Sequence, residues 1–188
     1  HTIHGLKTQF IEKITEDAVV KNIKFKDTKT DGESIFQSNA GAIDSITIQN
    51  LSITLTEGKT SGLVHTNTGK ILNCKMLNSE IKSIGSSGGL IYVSKDDSTI
   101  IDCTIKNSSI ESERYFASGL CKEVSDSNIE DCTLKNINVS SAKGSTGVAE
   151  ESGNASSKFK NVSVINSKLY SRSKSVGITL ALKSSRHN

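Results

Sequence analysis

Three cysteines recur at one spacing. Cys74, Cys103 and Cys132 stand 29 residues apart, which raises the chemistry of disulfides, zinc sites and nucleophilic thiols. A disulfide needs Cβ vectors that face each other, and zinc ligands come in close pairs such as C-x2-C. Even spacing provides neither. In other copies of the same motif the place is held by Ile23, Leu51 and Val162, so these thiols read as small hydrophobes. Cys121 stands outside that column and follows Leu120. It is expected to face outward and to be the reactive thiol.

A second candidate is the carboxylate pair Asp102 and Asp131, also 29 residues apart. On neighbouring coils of a stacked fold, two carboxylates roughly 5–9 Å apart could flank a glycosidic bond. The same place is occupied by Asn22, Asn50, Asn73 and Asn161, and nothing sets the two Asp apart from those Asn. A structural corner is the stronger reading, because Asn and Asp accept left-handed backbone and bond to nearby amides. The histidines are scattered: His1 and His4 form an H-x-x-H, His65 is expected in a turn, and His187 lies near the end. No H-E-x-x-H, G-x-S-x-G, P-loop or G-x-G-x-x-G is present. Sequons at Asn50, Asn107, Asn138, Asn154 and Asn161 match chance in a chain so rich in Asn and Ser. No catalytic constellation, cofactor or metal site emerges, and the chain reads as non-enzymatic.

One stretch suggests a partner. Arg114-Tyr115-Phe116 holds an adjacent aromatic pair in a chain with 4% aromatics. It falls in one of the longest repeats, with the extra length expected around Glu111–Ala117. Arg and Tyr are favoured interface anchors. The alternative is that Phe116 turns inward and Tyr115 covers it.

These residues must be held by elements that the composition restricts. The chain has 188 residues, 34% hydrophobic, with no Pro and no Trp, which is one domain or a piece of something larger. Any core must come from Ile, Val and Leu. Net charge is +3, with both signs interspersed; a nucleic-acid binder would show a basic stripe. No apolar run approaches the ~18 residues of a membrane span. The chain opens on His1 with no secretory signal, and is expected to be mature or excised from a longer protein.

Internal repeats decide the fold. A small residue followed by an apolar one recurs at Gly5, Ser34, Gly62, Gly89, Gly119, Gly147 and Gly177, in steps of 27 to 30. In phase with it runs apolar-x-(Asn/Asp)-apolar-x-apolar, from Val20–Phe25 and Ile48–Ile53 through Ile71–Met76, Ile100–Ile105 and Ile129–Leu134 to Phe159–Val164. A third column gives Asn78, Asn107, Asn136 and Asn166, each followed three residues later by an aliphatic one. β-Branched residues alternate with polar ones, and Gly, Ser and Asn cluster between the runs. Each unit of ~28 residues predicts two or three short strands that must stack on neighbours to bury an apolar face. The expected fold is a single all-β domain over 1–188, a parallel β-solenoid of six to seven coils spaced by about 4.8 Å. A leucine-rich repeat would need helix formers where Ser140–Ser145 and Ser152–Ser157 stand. Absence of Pro suits interior strands that donate to their neighbours. Gln9–Val20 has helical character and predicts a short capping helix.

The Gly-Leu-Val step and the Asn-Cys that follows resemble the GLUG motif of bacterial surface proteins. Ser61–Val64 with Ile71–Cys74, and Ser118–Cys121 with Ile129–Cys132, carry the likeness best. His1–Leu6 running on to Val20–Phe25 resembles the N-terminal solenoid region of streptococcal immunoglobulin A protease-type zinc metallopeptidases. The Cys column departs from that pattern. The resemblance implies a secreted or cell-wall-anchored parent whose zinc motif lies downstream of this chain. This region would then be a non-catalytic spacer or substrate-binding module, with a host protein such as an antibody, or other domains of the parent, as partner. The alternatives are an adhesin or carbohydrate-binding solenoid and a polysaccharide lyase or hydrolase.

Overall fold

The computed structural model describes residues 1–152 and 156–182. They form an all-β parallel solenoid of about six turns with a repeat of about 29 residues. One coil illustrates the rest. Its strands are Val64–Asn67 (face 1), Lys70–Leu72 (face 2), Lys75–Leu77 (face 3), Glu80–Ser83 (face 4) and Ser87–Gly88 (face 5). Corresponding strands of successive coils pair in parallel to give five sheets. A coil therefore holds five short strands, where the pattern of apolar runs predicts two or three. Strands of two to four residues are too short to show a period in sequence.

Inward side chains stack in aliphatic ladders. Ile43, Ile71, Ile100 and Ile129 fill face 2; Ile48, Met76, Ile105 and Leu134 fill face 3; Ile53, Ile81, Ile110 and Val139 fill face 4, all essentially inaccessible. Leu63, Leu90, Leu120 and Val148 are the apolar partners of the Gly column and are buried too. At the first coils Phe10, Phe25 and Phe36 pack edge to face with centroids 5.2 to 6.1 Å apart.

Gly62, Gly89, Gly119 and Gly147 stack because no side chain fits there. A Cβ on Gly89 would sit 1.7 Å from the carbonyl oxygen of Gly119, and one on Gly119 would sit 2.0 Å from that of Gly147. Gly5 belongs elsewhere. It follows strand Thr2–His4 on face 3 at φ +63°, bonds to the Lys26 carbonyl, and so falls level with Asp27, at a corner.

Each coil has two left-handed corners of this kind. Asn22, Ser45, Asn73, Asp102, Asp131 and Asn161 turn face 2 into face 3, and Asp27, Asn50, Asn78, Asn107, Asn136 and Asn166 turn face 3 into face 4, all at φ between 49 and 57°. Asn50 thus lies in the second set, and the copy Ile48–Ile53 is displaced by one corner from its predicted alignment. The two motifs are so alike that sequence could not separate them. The residue matching the Cys column in that coil is Ile46, not Leu51.

The predicted helix over Gln9–Val20 is not formed. Ile11–Ile14 and Val19–Lys21 are strands, joined by a turn in which the Ala18 amide donates to Thr15. They pair with the edges of Phe36–Asn39 and Ala42–Asp44, which would otherwise be open, and satisfying those edges outweighs local propensity. Among the described residues no helix is long and apolar enough to cross a membrane.

Candidate functional site

The corner ladders hold the predicted carboxylates. Asp131 Oδ1 accepts from Asn161 Nδ2 at 2.9 Å, and Asp102 and Asp131 both adopt the left-handed turn their Asn counterparts adopt. Similar bonds run along both corners: Asn73 to Asp44 at 3.0 Å, Asn50 to Asp27 at 2.8 Å, and Asn136 to Asn107 to Asn78 at 3.0 and 3.2 Å. The donated amides hold the Asp27 and Asp44 carboxyls below their ordinary range. This arrangement fixes turns with polar side chains.

The thiols are interior. Cys74, Cys103 and Cys132 are buried and unbridged, in the register of an aliphatic core column. The thiols of Cys132 and Cys74, with burial, push Cys103 well above its ordinary value. Cys121, expected outside, is also fully buried, and burial raises its thiol to about 12. It occupies the inward place on face 1 filled by Val64 and Ile91 in earlier coils. A thiol held protonated at neutral pH is a poor nucleophile, so the predicted reactivity of Cys121 is corrected. Among the described residues no group of three or more His, Cys, Asp or Glu is placed to hold a metal. His187 and Asn154 lie outside the described residues.

Arg114 and Tyr115 lie in the corner between faces 4 and 5, both exposed, and Phe116 opens strand Phe116–Ser118 of face 5. Phe116 does not enter the core. Its ring covers Gly144 of the next coil and lies 5.4 Å from Lys122 Nζ. Lys143 Nζ stands 4.6 Å over the Tyr115 ring. Relative to the preceding coil, this corner is only one residue longer. Two more extra residues fall between Ser94 and Thr99, at the corner of faces 1 and 2.

Two features have no counterpart in the sequence reading. The first is a polar seam where faces 5 and 1 meet. On face 1 the side chains opposite the core are Gln37, His65, Tyr92, Lys122 and Glu150, one per coil. His65 is therefore on a strand, not in a turn. Glu33 Oε2 accepts from Gln37 at 3.1 Å and lies 3.6 Å from His65 Nε2. His65 stacks on Tyr92 with centroids 4.8 Å apart, and Lys59 Nζ approaches Tyr92 at 5.3 Å. Lys122 Nζ meets Glu150 Oε2 at 3.0 Å, with side chains only 8% and 4% exposed. A register shift after Cys121 sets Glu150 level with Glu123.

Burial dominates the electrostatics of this seam. It lowers the His65 imidazole against the opposing pull of Glu33, and raises the Tyr92 phenol to about 12. It also raises the Glu150 carboxyl, which Lys122 partly offsets. Five different residue types in one column produce no sequence repeat, so no column analysis could find them.

Comparison with known protein families, curated proteins and solved structures found no match. Function has to be argued from the surface itself.

The second feature is a depression of about 380 Å³ on the outer side of the last coils, at the turn from face 4 to face 5. Glu111, Glu113, Ser140, Tyr170 and Arg172 help to line it. Glu111, Ser140 and Tyr170 form one outward column in register. Lys82 Nζ reaches both Glu111 and Glu113 at 3.2 Å, and those hydrogen bonds raise the Lys82 ammonium. The Tyr170 ring is 67% exposed.

Proposed function

We propose that this chain is a non-catalytic, extracellular β-solenoid module of a bacterial surface protein. It spaces and orients a zinc metallopeptidase domain of the immunoglobulin A protease type and offers a host protein such as an antibody a surface to dock on. The observation that carries this reading is the unbroken stacking of the same faces from the first coil to the last. At about 4.8 Å per coil such a stack is a short stiff rod, in which every interior strand is hydrogen-bonded on both edges. A rod of that kind transmits orientation between whatever is attached to its two ends. The likeness to GLUG repeats and to the N-terminal region of those peptidases supplies the cellular setting.

The test is incubation of purified chain with immunoglobulin A and with a general protein substrate. The chain alone is expected to cleave neither and to retain immunoglobulin A on an affinity surface. Cleavage by the chain alone, or no retention together with a parent reading frame that lacks a downstream H-E-x-x-H, would overturn the reading.

A further inference from the structure

The depression at the corner of faces 4 and 5 has charges that are unevenly satisfied. Its carboxylates, Glu111 and Glu113, are both held by Lys82. The Arg172 guanidinium in the same depression enters no ion pair among the described residues. Beside it stands the Tyr170 ring, the most exposed of the large apolar side chains described. Two coils earlier, Tyr115 carries Lys143 of the intervening coil over its ring, which extends the same basic and aromatic edge.

We propose that this depression binds a carboxylate-bearing saccharide, with a sugar ring lying on Tyr170 and the carboxylate on Arg172. Tyr presents a rigid ring with an apolar face and a polar tip, which suits the C–H face of a pyranose ringed by hydroxyls. Arg offers a planar fork that pairs with a carboxylate through two hydrogen bonds. Ser140 stands between Glu111 and Tyr170 in the same outward column and supplies a short hydroxyl partner for a sugar hydroxyl. The Ser141 hydroxyl is buried and accepts from the Gly144 amide and the Ser145 hydroxyl. A protein hot spot would instead centre on an apolar anchor in a desolvated pocket. Here the single ring is rimmed by hydroxyls and charges. This assignment uses residues that the spacer reading does not depend on, so either can fail alone.

The experiment is calorimetric titration of the chain with an oligogalacturonate, with sialyllactose, and with neutral lactose. At least one acidic probe is expected to bind about tenfold or more tighter than lactose. Whichever binds distinguishes an acidic polymer from a terminal acidic sugar. Tyr170→Ala and Arg172→Ala should each weaken that binding by about tenfold with the melting temperature unchanged, since both side chains are exposed. Arg172→Lys should restore part of it. Equal affinity for acidic and neutral probes, or wild-type affinity in both alanine variants, would overturn the proposal. So would loss of antibody binding in these variants with no saccharide bound, which would make the depression a protein-docking surface.

Discussion

The two left-handed corners and the seam between faces 5 and 1 are both polar columns that climb the same solenoid, yet they are built in opposite ways. At the corners nearly every rung is Asn or Asp, because each coil must make the same turn with φ near +50°, and few other residues tolerate it. At the seam every rung differs: Gln37 bonds Glu33 on its own coil, Glu33 faces His65 of the next, His65 stacks on Tyr92, and Lys122 pairs with Glu150. The corner is a backbone requirement repeated in each coil. The seam is a set of pairings between particular coils. A stacked fold therefore repeats in sequence what its backbone needs, and not what its side chains exchange between rungs.

The largest effect that can break this comparison is at the buried ion pair. Lys122→Ala leaves Glu150 charged and enclosed and is expected to cost about 3–5 kcal/mol. Lys122→Met combined with Glu150→Leu should recover most of that loss. Chemical denaturation measures both, and a cost below about 1 kcal/mol for the single variant would put the seam in solvent.

A corner should give a smaller and more uniform loss. Asn107→Ala keeps the turn but forces an ordinary residue into the left-handed region, at about 1–2 kcal/mol. Asn107→Gly relieves the backbone and loses only the bonds to Asn78 and Asn136. Alanine scanning along one corner should give similar values at each interior rung, whereas scanning the seam should not.

The smallest effect is in pH. Burial lowers the His65 imidazole from 6.5, so the folded chain binds fewer protons there than the unfolded chain. That contribution is fully present above the ordinary imidazole value and is lost as pH falls through it toward the depressed one. Glu150 has the opposite sign: its raised carboxyl favours the folded state at low pH and loses that advantage as pH rises through its folded value. Melting temperatures from pH 7 to 5 should therefore fall less in His65→Gln than in the wild-type chain. Identical profiles would show that His65 is solvated.

Legibility in the sequence follows the same division. The solenoid, its period and the corner role of Asn22, Asn73, Asp102, Asp131 and Asn161 were readable, because each coil restates them. The displacement of Asn50 was not, since two successive corners share one motif. Gly5 falls in phase with the Gly column although it makes a corner, and Gly at a left-handed turn looks the same in sequence as Gly under a neighbouring carbonyl. Gln9–Val20 looked helical because the sheet edge that recruits Ile11–Ile14 is supplied by residues some 25 positions later. Cys121 falls out of the Cys column, which suggests an outward thiol, but it belongs to a different inward column with Val64 and Ile91. The seam and the Tyr170–Arg172 depression were invisible, since each is assembled from single residues in different coils.

The central claim is that successive coils stack in parallel and in register through the Gly column, and one paired measurement tests it most directly. A Cβ at Gly89 would collide with the Gly119 carbonyl at 1.7 Å, whereas one at Gly177 meets nothing within 4 Å among the described residues. Thermal unfolding of Gly89→Ala and Gly177→Ala should show the first severely destabilised or unfolded and the second close to wild type. Equal melting temperatures for the two variants would contradict the stacking on which the whole account rests.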